Sequence, residues 1–200
     1  MISNEMKGNK NKQNRIIINL KGEIKMEKSF NTKKMIVNAI LIAIGAVLHT
    51  ISPTFGVAQP DFALAMLFII ILINTDYKTA LFSGIIIGIF TAITTKTVGG
   101  QAPNIIDKVI TANVAYLMLL PLRDKVNKNI QAALLLVVGT FVSGTVFLTS
   151  LMIFTGMPMK AIPTGLLTVV LPTACVNVII GIIIFNIVNQ AIKQVHLSMN

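Results

Sequence analysis

The sequence predicts an all-α integral membrane protein with six transmembrane helices. Only 12% of the residues are charged and the mean hydropathy is +0.79, whereas soluble domains have about 25% charged residues. The apolar residues come in blocks of about 16 to 24, the length that crosses a bilayer core. Basic residues flank these blocks and aromatic residues lie inside them. The net charge of +10 therefore indicates a lipid bilayer as partner and no nucleic acid.

The N-terminal segment, residues 1–25, is rich in Asn, Lys and Ile and has no amphipathic pattern, so we expect a disordered basic leader. Residues 21–26, KGEIKM, can be encoded by a purine-rich ribosome-binding site that precedes an ATG codon. The hypothesis is that residues 1–25 are not translated and that the chain starts at Met26. Residues 26–200 then form the six-helix membrane domain.

The first helix is predicted over residues 35–51, after a group of lysines. Ala39 and Ala43 belong to a strip of small residues where another helix can approach closely. His49 lies at the far end of the helix, before a turn that contains Pro53. A histidine at a helix end is commonly an interfacial residue, but polar residues elsewhere in the chain converge on the same side. His49 is therefore a candidate binding residue.

The second and third helices are predicted over residues 60–73 and 79–95. The second opens with Gln59, Pro60 and Asp61. A carboxylate at a helix N-terminus is stabilised by the helix dipole whether or not it binds a ligand, so the capping role and the binding role of Asp61 both stay open. In the third helix small residues recur every four positions and predict a groove for helix packing: Ala80, Gly84, Gly88 and Ala92.

The fourth helix, predicted over residues 103–122, begins in the densest polar stretch of the chain, residues 99–108 with the sequence GGQAPNIIDK. Pro103 suits the first turn of a helix. Four polar residues then share one helical face: Asn104, Asp107, Lys108 and Thr111. An acid beside a base at a membrane boundary, with the amide of Gln101 nearby, favours a binding site for a small zwitterion. The alternative is an interfacial cap of snorkelling charges.

The fifth and sixth helices are predicted over residues 130–153 and 163–188. Pro172 near the middle of the sixth helix frees a carbonyl and is expected to kink or break it. Asn177 is polar at membrane depth, so it is expected to face protein or substrate. Cys175 is the single cysteine of the chain, which excludes an internal disulfide and a cysteine-based metal site.

Six spans place both termini on one side of the membrane, and the segments on that side hold most of the Lys and Arg. The positive-inside rule makes this side cytoplasmic. The polar residues suited to hold a solute then gather at the outer face, which favours uptake. These candidate substrate-binding residues are His49, Gln59, Asp61, Gln101, Asn104, Asp107 and Lys108.

Three stretches carry a resemblance to a known family: Leu48-His49, Gln59-Pro60-Asp61 and the GGQAPNIIDK string of residues 99–108. From about Lys33 to the end of the sixth helix, the chain resembles the bacterial tryptophan transporter family TrpP. That family is similar to the substrate-binding S components of energy-coupling-factor (ECF) transporters, which are small six-helix proteins. The resemblance implies an S-component-like bundle, multi-pass in the bacterial cytoplasmic (inner) membrane, that takes up L-tryptophan.

In S components, small residues of the first helix face the transmembrane coupling subunit. The resemblance therefore implies Ala39 and Ala43 as a docking strip for an ECF coupling subunit with its ATPases. The chain itself has no Gly-x-x-x-x-Gly-Lys-Ser/Thr loop, so the energy for transport is expected from an ion gradient, a proton gradient or a partner ATPase.

The chemistry of tryptophan suits the residues at the outer ends of helices 1, 2 and 4. Lys108 and the first amides of the fourth helix are expected to hold the carboxylate, and Asp61 or Asp107 the ammonium. Phe55, Phe62 or Met66 are candidates to pack on the indole. Because the same residues suit another amino acid, the choice of tryptophan comes from the resemblance.

Two other functions are alternatives to uptake of tryptophan. An S component for another small solute, such as a vitamin, would share the fold and differ in its pocket residues. An enzyme is disfavoured, because the sequence contains no His-Glu-x-x-His or Gly-x-Ser-x-Gly motif. We therefore expect no catalytic residue, no metal and no cofactor.

Overall fold

The structure is a computed structural model that describes residues 32–53 and 59–194, and all regular secondary structure in these ranges is helical. The helices are α1 (Thr32–Ile51), α2 (Phe62–Ile73), α3 (Tyr77–Ile93), α4 (Gln101–Leu119), α5 (Lys128–Thr155) and α6 (Met159–Gln194). The predicted leader, the candidate start Met26 and Phe55 lie outside the described residues.

The six helices confirm the predicted order of elements, with bounds shifted by a few residues. The largest difference is in α6, which ends at Gln194 rather than at residue 188, because the polar segment after the apolar block has residues that continue a helix readily. By internal contacts the chain divides into residues 1–37 and residues 38–200. The second unit contains every contact described below.

Polar side chains fix where three of the helices begin. Asp61 caps α2 by accepting a hydrogen bond from the backbone N–H of Leu64 at 2.9 Å. Asp76 caps α3 and Asn127 caps α5 in the same way. Such caps satisfy backbone donors that have no partner inside the helix.

Helix α2 lies at the centre of the fold. Residues 63–73 are all buried, which is expected of a helix that is apolar on every side. The helix contacts α3, α4, α5 and α6, and its Phe68 ring packs directly on Gly139 of α5. The other helices therefore surround α2.

Helix α4 packs closely against the small-residue groove of α3, as the sequence predicts. A Cβ atom added to Gly88 would lie 3.1 Å from the Cα of Ile105, and one added to Gly84 would lie 3.0 Å from the carbonyl oxygen of Lys108. Helix α4 also contacts α5, and its predicted polar face is buried. The glycines of α3 thus let the backbone of α4 approach and bring its polar residues into the interior.

Two helices contain a π-helical turn, at Leu135–Gly139 in α5 and at Leu166–Val170 in α6. The second turn comes just before Pro172, whose missing backbone N–H removes one hydrogen bond of the helix. The helix does not break at Pro172 but continues to Gln194. Turns of this kind occur often at functional sites.

Three helices of the described residues, α1, α5 and α6, are long and apolar enough to cross a membrane. Helices α2 and α3 are apolar but shorter. The exposed faces of the long helices carry large apolar side chains such as Ile40, Val137 and Ile183, which suits contact with lipid. These helices are consistent with a membrane protein. That all six helices span the bilayer, with both termini in the cytoplasm, stays a prediction.

Candidate functional site

A cavity of about 320 Å³ lies among residues of α1, α2, α4, α5 and α6 and of the loop after α3. Ligand pockets have volumes of about 300–1,000 Å³, so this cavity has room for one small molecule. Among its lining residues are these candidate binding residues: His49, Gln59, Asp61, Asn104, Asp107 and Lys108.

Gln101 is the candidate residue that the structure does not bring to the cavity. It is the first residue of α4 and is exposed. Asn104, one turn further along the same face, is buried, and its side-chain amide donates to the carbonyl of Gly100 at 2.8 Å. The polar face of α4 therefore enters the interior one turn after the helix begins.

Lys108 is held between two carboxylates. Its Nζ lies 2.6 Å from Oδ2 of Asp61 and 2.5 Å from Oδ2 of Asp107. Asp107 also accepts hydrogen bonds from Thr111 to Oδ1 and from Ser143 to Oδ2, both at 2.9 Å. Buried charges require this kind of pairing and hydrogen bonding. The Lys108 charge is therefore already compensated without a ligand.

The two aspartates differ in exposure. The side chain of Asp107 is 1% exposed, whereas that of Asp61 is 20% exposed. Asp61 is thus the member of the ion cluster that a ligand can reach.

Asn177 connects α6 to the same cluster. Its Oδ1 accepts a hydrogen bond from the backbone N–H of Asp61 at 2.8 Å, and its side chain lines the cavity. The prediction that Asn177 faces protein or substrate is confirmed by this hydrogen bond. The contact ties the start of α2 to the middle of α6.

His49 and Lys96 line the cavity from α1 and from the loop after α3. His49 Nδ1 lies 2.9 Å from Oγ1 of Thr94. Because that hydroxyl donates its proton to the carbonyl of Phe90 at 2.8 Å, His49 Nδ1 is the donor and its Nε2 is left as an acceptor.

Lys96 was not among the candidate residues, because the sequence shows it simply as one charge in a loop. Its Nζ donates to the backbone carbonyl of Ser52 at 2.8 Å. Within the described ranges, Lys96 makes no ion pair of 4.0 Å or less, whereas Lys108 makes two. Lys96 is therefore the cavity cation whose charge is not compensated by a carboxylate.

One wall of the cavity is apolar and comes from helices that sequence reasoning left out of the site. The wall consists of Phe147, Leu148 and Leu151 of α5 with Val169 and Val170 of α6. Of the expected indole contacts, Phe62 and Met66 do not line the cavity, and Met66 packs beside Gly45 in the core.

A weak signal for this wall does exist in the sequence. The residues of α5 that line the cavity follow a helical spacing that includes small and polar residues in an otherwise apolar helix: Thr140, Ser143, Gly144, Phe147, Leu148 and Leu151. By contrast, Ala39 and Ala43 lie exposed on α1, away from the cavity lining.

The chain was compared with known proteins. The family model described as tryptophan transporter TrpP matches residues 31–193. A probable tryptophan transport protein of Clostridium acetobutylicum is 45% identical over 167 residues, covering 82% of this chain and 96% of the relative. Relatives with the same description from Clostridium perfringens and Bacillus subtilis are each 41% identical, covering 84% and 82% of this chain and 97% and 94% of the relatives. No solved structure gives a significant match. The chain belongs to the tryptophan transporter TrpP family, a family of transporters and not of enzymes.

Proposed function

We propose that this chain takes up L-tryptophan across the bacterial cytoplasmic membrane and binds it in the 320 Å³ cavity. The observation that carries the proposal is that the buried ion cluster of α4 and the apolar wall of α5 and α6 face one cavity of small-molecule size. A polar end and an apolar wall in one pocket suit an amino acid with a large side chain. The family and the names of the relatives favour tryptophan.

The charged groups of the substrate are assigned to Asp61 and Lys96. Asp61 is the member of the ion cluster that is partly exposed, so its carboxylate is available to the substrate ammonium. The Lys108 ammonium is shared by two carboxylates, which disfavours the expectation that it holds the substrate carboxylate. Lys96 has a neutral carbonyl as its hydrogen-bond partner and gains more from a carboxylate.

The remaining residues of the cluster position Asp61. Lys108 fixes its Oδ2, Leu64 its Oδ1 and Asn177 its backbone N–H. An aspartate whose carboxylate and backbone are held from three different helices has little freedom to move, so little ordering entropy is lost when a ligand binds.

The indole is assigned to the apolar wall. Phe147 offers an aromatic face, and Leu148, Val169 and Val170 offer branched aliphatic surface. Aromatic pairs stabilise by about 0.5–1.5 kcal/mol beyond the area that they bury. Phe147 thus takes the role that the sequence assigned to Phe55, Phe62 or Met66.

A second candidate function is that of an S component of an ECF transporter for another small solute, such as a vitamin. Ala39 and Ala43 are exposed on α1, so a coupling subunit can reach them. In this alternative the cavity binds a different molecule and a partner ATPase supplies the energy.

The first experiment is uptake of labelled tryptophan by cells that express this chain, in a host with no ECF module and no tryptophan carrier of its own. Excess unlabelled tryptophan, tyrosine, phenylalanine, riboflavin or thiamine is added in parallel. Saturable uptake that tryptophan alone suppresses supports the proposal and a solitary carrier. Binding of tryptophan to the purified protein without uptake supports a requirement for a partner. Binding of a vitamin and not of tryptophan would replace the proposal with the alternative.

A further inference from the structure

Thr140 has a buried hydroxyl without a hydrogen-bond partner. The residue is 3% exposed and lines the cavity. Its Oγ1 is one of several buried side-chain atoms in the described ranges that lack a partner, and the other atoms belong to Arg123, Gln131 and Asn189, which do not line the cavity. A buried hydroxyl without a partner carries an energetic cost. This cost is recovered when a ligand supplies the missing partner.

Three other threonines of α5 and α6 satisfy their hydroxyls within their own helix. Thr145, Thr155 and Thr168 each donate to the carbonyl four residues earlier, at 2.8, 2.7 and 2.8 Å. Thr140 directly follows the π-helical turn Leu135–Gly139, where the backbone departs from the α-helical pattern of donors and acceptors. The hydroxyl that follows the π-helical turn thus makes no hydrogen bond within its own helix.

Thr140 lies one helical turn before Ser143, which donates to Asp107 of the ion cluster at 2.9 Å, and it lines the same cavity as the apolar wall. Phe147 lies two turns further along α5 on the same face, and long side chains in a helix lean toward its N-terminus, which brings the Phe147 ring toward Thr140.

We propose that the Thr140 hydroxyl accepts a hydrogen bond from the indole N–H of bound tryptophan and thereby selects an indole over an aromatic ring without a donor. The indole nitrogen is a donor and not an acceptor, and it lies at the edge of the ring, so Phe147 can pack on the ring face at the same time. A site built to pair with a substrate N–H rejects analogues that lack it more strongly than an apolar pocket does. This inference rests on the proposed function of the cavity.

The test compares two ligands on the purified full-length protein in lipid nanodiscs. One ligand is tryptophan, and the other is 3-(3-benzothienyl)alanine, in which sulfur replaces the indole N–H while the ring shape is kept. Equilibrium binding is measured for the wild type, for Thr140→Val and Thr140→Ser, and for the matched control Thr145→Val, whose hydroxyl is bonded inside the helix.

The wild type is expected to bind tryptophan about tenfold more tightly than the benzothienyl analogue, and Thr140→Val to lose this difference through weaker tryptophan binding. Thr140→Ser keeps the preference because it keeps the hydroxyl, and Thr145→Val does not change it. If Thr140→Val does not fold, the wild type and Thr140→Ser test the inference, since both are expected to bind tryptophan more tightly than the analogue.

Tryptophan binding with no preference over the analogue in the wild type, or with a preference that Thr140→Val retains, would overturn this inference and leave the proposed function standing. A wild-type protein that is folded but binds neither ligand would overturn both.

Discussion

At the scale of single residues, Lys108 compensates the charge of the two carboxylates in the buried ion cluster. Its ammonium separates two carboxylates that both approach it within 2.6 Å. Without it, Asp61 and Asp107 are like charges in a largely buried site, and their repulsion and desolvation are not compensated. Removing one partner of a buried ion pair costs about 3–5 kcal/mol.

We therefore expect Lys108→Ala to lower the free energy of unfolding of the purified protein by about 3–5 kcal/mol and to abolish tryptophan uptake. The double variant Lys108→Ala with Asp107→Asn removes the uncompensated charge, so it is expected to regain part of the stability without regaining uptake. Thermal unfolding of both variants in the same detergent measures the effect. Equal stability of the single variant and the wild type would show that the ion cluster does not stabilise the fold.

Lys96 is expected to act on the ligand and not on the fold, because it is exposed and bonds a single carbonyl. Charged hydrogen bonds contribute about 1.5–3 kcal/mol, so Lys96→Gln is expected to weaken tryptophan binding about 10- to 100-fold. Tryptamine lacks the carboxylate, and its binding is expected to stay the same in this variant.

Lys160→Gln is the matched control for the Lys96 prediction, since Lys160 is exposed and does not line the cavity. Binding of tryptophan and tryptamine to the purified variants can be measured by titration calorimetry. Equal weakening of both ligands in Lys96→Gln would contradict the assignment of the carboxylate to this lysine.

The sequence predicts residues of the site where helical periodicity and polarity coincide, and it misses those where they do not. Asp107 and Lys108 are recognisable because they are charges on one face of an apolar helix. Phe147 is one of many apolar residues in α5, and nothing local distinguishes a cavity wall from a lipid-facing surface. Thr140 becomes informative once the structure shows that its hydroxyl is buried and unpaired.

At the scale of helices, the contact between α3 and α4 places the ion cluster. The carbonyl of Lys108 would lie 3.0 Å from a Cβ atom on Gly84, and the Cβ of Ala112 would lie 2.6 Å from it. Larger side chains in such a groove force the helices apart. We expect Gly84→Val to destabilise the protein by about 1–3 kcal/mol and to weaken tryptophan binding, because α4 carries Asp107 and Lys108.

Thermal unfolding and tryptophan binding measure the Gly84 prediction on one preparation. Ala43→Val is the control, since Ala43 lies on an exposed face of α1 and is expected to leave both quantities unchanged in the purified chain. Unchanged stability in Gly84→Val would mean that the two helices can move apart at no cost in free energy. It would contradict the claim that close packing against α3 positions α4.

The helices themselves were predictable because each apolar block is bounded by polar or helix-terminating residues such as Asp61, Asp76 and Asn127. The π-helical turns were less predictable from the sequence. Pro172 signals a disturbance in α6, but the turn in α5 has no proline, and its Gly139 packs against Phe68 of α2. That contact joins residues far apart in the chain, which local periodicity does not detect.

At the scale of the whole molecule, the cavity and the exposed face of α1 are separate parts with separate predicted roles. The cavity draws on α1, α2, α4, α5 and α6, whereas Ala39 and Ala43 face outward among large apolar residues such as Ile40 and Ile44. Small residues allow a second helix to approach closely within a membrane. A change on this face is therefore expected to affect transport by a docked complex without affecting ligand binding.

The double variant Ala39→Leu with Ala43→Leu tests this separation. In a host that has an ECF module we expect it to reduce tryptophan uptake at least tenfold, since bulky side chains prevent close helix packing, while tryptophan binding to the purified chain is unchanged. Ile36→Leu, a change of shape at a large exposed residue of the same helix, is the control and is expected to retain uptake. Full uptake by the double variant would contradict a docking role for the two alanines. If that uptake also persists in a host without the module, the chain moves tryptophan alone, and the exposed face of α1 is a surface for lipid.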